Sequence, residues 1–219
     1  MSYEELPYTA AGVAMPAAEQ NFIDAADRRY ELFYEDHLQK RYPKYVPSEP
    51  SQVYAALKYV TDKGLLVSNT FVEWGCGFGV ATGLATFLGY NATGIEIEPD
   101  LVQIAYDLFL QESIEAQLIC SSYIPDGIIE YENFGTTDIV SDNFNRSSNA
   151  GPCYPEMNLQ IEEIDLFFVY PWPGEQEMML KLFDTLAGEG ALLIAYFGDQ
   201  DTHIFRKIHD SNSLKDELA

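Results

Sequence analysis

Apolar side chains recur at a helical spacing along the first third of the chain. Between residues 18 and 41, Phe22, Ala26, Tyr30, Phe33 and Leu38 fall close to one face, which predicts one long amphipathic helix. Prolines at 43, 47 and 50 cannot continue it. A second helix is expected over 51–62, burying Val53, Leu57 and Val60 and stopping at Gly64. Ahead of both, residues 1–17 carry small residues and prolines without periodicity and read as a loosely draped arm.

From residue 65 the pattern changes to short apolar runs alternating with helical stretches. Strands are predicted over 70–74, 92–97, 115–121, 164–170 and 190–197, with helices over 79–88, 99–111 and 175–187. One more strand is expected over 202–208, followed by a frayed tail. Alternation of mostly apolar strands with helices implies an α/β fold whose mainly parallel sheet is covered on both faces. Residues 1–64 are expected to form an arm and helical extension packing on a core of residues 65–219. The polar segment 125–163 is long for a connection, so it reads as a functional lid or a disordered insert, with a short helix over 126–134.

Charge narrows the partners. With 12 Lys+Arg against 35 Asp+Glu the net charge is −23, a field that repels phosphate backbones and attracts cations. Nucleic acid is therefore not the expected partner, although the same surplus also suits solubility or a salty environment. Cys76, Cys120 and Cys153 form no CxxC and no Cys/His cluster, which argues for reduced thiols and against a zinc site. Cys120 reads as a buried strand residue. No signal peptide and no apolar run of about 18 residues stands in the sequence, so no membrane partner and a cytoplasmic location are expected.

The stretch that concentrates chemistry is 71–89, FVEWGCGFGVATGLATFLG. It reads as strand, turn and helix, with Gly75, Gly77 and Gly79 permitting φ > 0 and a close backbone approach by a ligand. The helix that follows would aim free N–H groups at that ligand. A dinucleotide fingerprint needs G-x-G-x-x-G, but Val80 stands three after Gly77. An acid, Glu73, lies two before Gly75, and Glu96 follows Gly75 by 21 positions. A carboxylate at the end of the second strand, about 20 residues beyond the glycines, can accept two hydrogen bonds from vicinal ribose hydroxyls. Glu98, one step along the same face, is expected to cap the helix opened by Pro99.

VEWGCGFG, residues 72–79, resembles the first motif of the class I S-adenosylmethionine-dependent methyltransferases, an acid at the end of strand one followed by G-x-G-x-G. The resemblance covers residues 45–197. It implies a Rossmann-like, doubly wound sheet with an N-terminal helical extension and a shortened C-terminal end, in which the usual helix and two final strands are reduced to one strand. It further implies that S-adenosyl-L-methionine is the cofactor, held by Tyr45, Glu73, Gly75, Cys76, Gly77, Gly79, Glu96 and Ile97, with Glu73 at the methionine end. The family often carries an acid after strand three; here Ser121 and Ser122 stand there, to hold the adenine edge by hydroxyl or backbone, with Tyr123 near the ring. After strand four, amine-directed members have Asn or Asp before Pro-Pro and an aromatic, whereas this chain has Tyr170, Pro171, Trp172 and Pro173. Tyr170 and Trp172 are then the candidate catalytic residues, an aromatic wall for a cationic or flat acceptor, unless Trp172 simply plugs the core edge.

The function expected is methyl transfer to an N or O acceptor, a cationic amine or a protein lysine among them, in the manner of an enzyme without a metal. Histidines 37, 203 and 209 lie outside every motif, so no histidine base is indicated. Two rivals stand beside it: a catalytically silent module that binds the cofactor, and a nicotinamide-dependent oxidoreductase, which Val80 disfavours.

Overall fold

A computed structural model of the chain describes residues 2–9, 12–126 and 152–209. Its elements are β1 (Tyr3–Leu6), α1 (Ala17–Glu35), α2 (Pro50–Asp62), β2 (Thr70–Trp74), α3 (Val80–Phe87), β3 (Asn91–Glu96), α4 (Pro99–Glu112), β4 (Gln117–Cys120), β5 (Leu166–Val169), α5 (Gln176–Leu186), β6 (Leu192–Tyr196) and β7 (Thr202–Lys207). The strands form one seven-stranded sheet in the order β1-β7-β6-β5-β2-β3-β4. β4, β3, β2, β5 and β6 run parallel, β7 is antiparallel to β6, and β1 is antiparallel to β7.

The period of two along the strands divides the core. Phe71, Phe168 and Ile194 face one side and pack on Phe22 of α1, Leu57 of α2 and Leu84 of α3. Val72, Phe167 and Leu193 face the other and pack on Met179, Leu182 and Phe183 of α5. β5 and β6 are buried along their whole length, which is why they read as unbroken apolar runs. Apart from the short helix over 126–134, the expected strands and helices from residue 50 onward are present with ends shifted by a residue or two.

The expected single helix over 18–41 is shorter. α1 ends at Glu35, and His37 then takes a left-handed conformation (φ 60°) before one 3-10 turn at Leu38–Lys40. The turn carries Tyr42 back against Phe33, rings 6.3 Å apart and stacked, so the apolar spacing continues past the helix to serve a second cluster of Phe33, Tyr42, Phe78 and Leu101.

The start of the chain also departs from the expectation of a draped arm. Residues 3–6 pair with β7 along four residues, Tyr3 packs edge-on against Phe205, and Tyr59 donates to the Pro7 carbonyl at 2.9 Å. Asp184 fixes this edge by accepting from the Ser2 N–H and the Lys207 ammonium, each at 2.8 Å. β1 thus supplies a seventh strand where, among the described residues, the chain after β6 supplies only β7. A four-residue strand with two exposed glutamates carries no run that a sequence pattern can detect. The predicted short helix over 126–134 lies almost wholly outside the described residues. Among the described residues no helix is long and apolar enough to cross a membrane.

His203 clasps the β1 edge, with Nδ1 2.6 Å from the Glu5 carboxylate and Nε2 2.9 Å from Asp201. Burial alone would lower this imidazole, but the two carboxylates hold it above its ordinary value of 6.5. A raised folded value means the clasp contributes fully below about pH 6.5 and is lost as pH rises through the folded value. Hydrogen exchange of β1 amides, corrected for intrinsic rate, should therefore lose protection as pH rises above about 6.5. His203→Gln should remove that dependence.

Candidate functional site

A cleft of ≈ 500 Å³ opens beyond the carboxyl ends of β2, β3 and β5, where ligands bind in sheets of this kind. Its walls are the glycine turn at Gly75 and Cys76, the Glu96, Ile97 and Glu98 corner, Tyr123, the Tyr170 to Trp172 loop, and residues 41–48.

The three glycines of the turn all have positive φ, at 73°, 52° and 73°, yet their surroundings differ. A Cβ on Gly75 would meet nothing within 4 Å, so its face is open to the cleft. A Cβ on Gly77 would lie 2.3 Å from the Tyr45 ring, and one on Gly79 would lie 2.7 Å from Phe109. Gly75 therefore faces ligand space, while Gly77 and Gly79 let other side chains close on the backbone.

The amides of the turn itself are largely paired within the protein. Gly75 and Cys76 both donate to the Ile95 carbonyl at 2.9 Å, and Gly79 donates to Cys76 at 2.7 Å. Gly77 donates to Glu96 Oε2 at 2.9 Å, and Phe78 donates to the Tyr45 hydroxyl. One turn into α3, Thr82 gives both its N–H (2.8 Å) and its hydroxyl (2.6 Å) to Glu73 Oε2.

Two carboxylates thus reach the turn from neighbouring strand ends. Burial pushes Glu73 up to about 8; the two bonds from Thr82 oppose this and the nearby Glu96 adds to it. Glu96 is raised by burial too, against the N–H groups of Glu98, Gly77 and Ile97 that favour its ionised form. Its two oxygens are divided, Oε2 to Gly77 and Oε1 to Glu98 at 3.0 Å. Thr82 and Gly94 are the partners that the sequence did not single out. Gly94 pairs with Glu73 across the sheet, and a Cβ there would lie 2.8 Å from Cys76 Sγ and 2.9 Å from Thr82 Oγ1. Glu98 occupies the N-cap position of α4 but its side chain makes no cap bond, which corrects that expectation.

Residues 41–49 cross the cleft as a strap. Arg41 and Tyr42 bond Asp100 at 2.7 and 2.6 Å, Tyr45 sits 4.5 Å from the Phe78 ring, and the Glu49 N–H reaches the Tyr196 hydroxyl. Of the sequence-predicted residues, Tyr45, Glu73, Gly75, Cys76, Glu96, Ile97, Tyr170 and Trp172 line the cleft. Gly77 and Gly79 lie behind it. Ser121 and Ser122 do not line it: Ser121 donates its N–H to the Glu96 carbonyl at 2.9 Å, and Ser122 Oγ accepts from Ile124 at 3.1 Å. Tyr123 lines the wall in their place. Trp172 is 38% exposed at the rim and so plugs no core, whereas Tyr170 packs 4.8 Å from Tyr196. Cys120 is exposed, not buried, because it ends an edge strand. Among the described residues no group of three His, Cys, Asp or Glu could hold a metal.

Among solved structures, the chain is similar to an RNA methyltransferase of Salinibacter ruber in complex with S-adenosyl-L-homocysteine. That match has 15% identity and a TM-score of 0.50, over 75% of this chain and 95% of that one. An S-adenosylmethionine-dependent methyltransferase of Clostridium acetobutylicum matches at 11% identity and TM-score 0.44, over 86% of this chain and 85% of that one. An S-adenosylhomocysteine-bound methyltransferase of Podospora anserina matches at 12% and 0.49, over 84% and 63%. No protein-family model and no curated protein matches the chain. The Salinibacter likeness and the strand order establish the fold as the class I, Rossmann-like methyltransferase fold.

The unequal roles of the glycines have a measurable outcome. Gly75→Ala should cost about 1–2 kcal/mol from left-handed backbone strain alone. Gly77→Ala adds about 1–3 kcal/mol of overpacking against Tyr45. Thermal unfolding of the two variants should place Gly77→Ala several degrees below Gly75→Ala, at about 2–4 °C per kcal/mol.

Proposed function

We propose that the chain is an S-adenosyl-L-methionine-dependent methyltransferase acting on an N or O acceptor, with a cationic amine or a protein lysine as the acceptor class. The observation that carries this is Glu96, a buried carboxylate on the cleft wall held in place by the glycine turn itself. A carboxylate offers about four acceptor sites. The N–H groups of Gly77, Glu98 and Ile97 do not use them all, so capacity remains for ribose hydroxyls.

The cleft fits that cofactor. Its volume of ≈ 500 Å³ suits a small molecule, and Gly75 leaves room against the backbone. Acids, not amides, face the ligand, which favours a sulfonium and an ammonium over a pyrophosphate. The same fact counts against a nicotinamide dinucleotide, because a pyrophosphate needs turn amides that Glu96 and Tyr45 already occupy.

Bound there, the cofactor supplies a methyl group on a positively charged sulfur that leaves as a neutral thioether. The protein's part is binding and positioning. Glu96 holds the ribose, Glu73 the methionine end, and Ile97, 42% exposed on the cleft wall, covers the purine. Tyr45 and residues 41–49 roof the site and exclude water, and in this reading residues 1–64 are an extension that serves the 65–219 core. Tyr170 and Trp172 present their rings to the acceptor.

The Salinibacter relative is an RNA methyltransferase, and a net charge of −23 opposes a phosphate backbone, so RNA belongs in the acceptor panel beside amines, lysine peptides and phenols. Methyl transfer to RNA but to no amine would replace the acceptor class proposed. Binding without transfer to any of them would leave the silent module.

Calorimetry with S-adenosylhomocysteine is the primary test; absence of binding at millimolar concentration sinks the proposal. Glu96→Ala should weaken binding about tenfold or more, since hydrogen bonds to a charged group are worth about 1.5–3 kcal/mol each. The pH profile tests Glu73. A cationic ligand favours the ionised carboxylate, so affinity should rise as pH climbs through about 8 and be flat in Glu73→Gln.

A further inference from the structure

Trp74 follows Glu73 at the end of β2 and points to the opposite face of the sheet, where it is fully buried against Phe167. Its indole Nε1 lies 3.0 Å from the hydroxyl of Tyr154, and that hydroxyl also meets the main-chain carbonyl of Tyr123. An indole N–H can only donate and a carbonyl can only accept. The direction is therefore fixed: Trp74 donates to Tyr154, which donates to Tyr123. Tyr154 is 3% exposed, and burial raises its phenol far above the ordinary range, so it keeps the proton it donates.

Tyr154 comes from beyond residues 127–151. Asp126 and Cys153 exchange two main-chain hydrogen bonds of 3.0 Å, which brings the two flanks of that segment together beside the cleft. Tyr123 itself lines the cleft wall next to the Glu96 corner. The relay therefore ties the strand that begins the glycine turn to the loop that closes the opposite wall, through one side chain that touches neither ligand nor solvent.

We infer that Tyr154 is a positioning residue for cofactor recognition: by holding the Tyr123 carbonyl it sets the Tyr123 ring as the surface against which the purine of the cofactor packs. This rests on the methyltransferase proposal above. Removing the hydroxyl would leave a buried indole donor and a carbonyl without their partner, and the loop would move to regain water.

The test is a double-mutant cycle read by calorimetry with S-adenosylhomocysteine and with adenosine, alongside thermal unfolding. Tyr154→Phe should lower affinity for both ligands about five- to tenfold, and Tyr123→Ala by a similar factor, as expected for a lost ring contact with a base. In the Tyr123→Ala background Tyr154→Phe should cause no further loss, because the two act as one unit. A purely structural role would lower the melting temperature in both backgrounds and leave affinity unchanged. Unchanged affinity in Tyr154→Phe, or losses that add, overturns the inference. Trp74→Phe interrupts the relay from its other end and decides the matter if Tyr154→Phe does not fold: a loss for both ligands that vanishes in Tyr123→Ala supports it, and a loss that persists there overturns it. Failure of the native protein to bind S-adenosylhomocysteine at all would instead defeat the methyltransferase proposal.

Discussion

The site depends on two carboxylates that the fold buries without a cation. In a chain with 35 acidic residues and 12 basic ones, Glu73 and Glu96 are 5% and 7% exposed and are held by N–H and hydroxyl groups of the glycine turn and its helix. Burying an unpaired carboxylate costs several kcal/mol unless hydrogen bonds replace its water or it takes up a proton. The two residues use both routes. Glu96 collects three main-chain N–H groups and Glu73, with Thr82 as its partner, moves up to about 8. Much of the local sequence follows from this: Thr82 must carry a hydroxyl, Gly94 must have no side chain, and the turn must fold tightly enough to bring Gly77 onto Glu96.

The same bonds define what the cleft can receive. Folds of this type hold phosphates by leaving turn amides free at the start of a helix. Here Gly77 and Phe78 give their N–H groups to Glu96 and to the Tyr45 hydroxyl, so the turn contributes shape through Gly75. On the proposed function this makes a nucleoside site in which Gly77 and Phe78 are withheld from a phosphate. A cofactor with a ribose and a cationic tail answers that combination, and a dinucleotide does not.

Much of this was legible in the sequence, because it lies in local patterns. The apolar runs at 70–74, 166–169 and 192–196 and the spacing from Gly75 to Glu96 are short-range features, and they point to the parallel sheet and to a glycine and a carboxylate that line one cleft. What escaped were pairings between distant segments. β1 is four residues whose only signal is its partner, β7. The bond from Trp74 to Tyr154 spans 80 residues, and nothing in either residue's neighbourhood announces the other. Ser121 and Ser122 follow β4 as expected, but the chain turns there so that Tyr123 lines the cleft wall and the two serines do not. One residue of phase separates a lining side chain from a hidden one.

The strap raises the question of which force closes it in so acidic a protein. Arg41 and Asp100 form an ion pair, but their side chains are 66% and 44% exposed. Such pairs are worth about 0–1 kcal/mol and weaken with salt. The aromatic contacts beneath are several: Tyr45 on Phe78 at 4.5 Å, Tyr45 on Phe33 at 5.5 Å and Tyr42 on Phe33 at 6.3 Å. At about 0.5–1.5 kcal/mol each beyond the area they bury, they outweigh the ion pair. Salt also screens the repulsion between the many surface acids, a gain for any compact state of this chain. Rising ionic strength therefore weakens the exposed ion pair while leaving the aromatic seat of the strap intact. Closure rests on Tyr45 and Phe78, the two residues that also seal the glycine turn, so the roof of the cleft and the geometry of its floor are set by one contact.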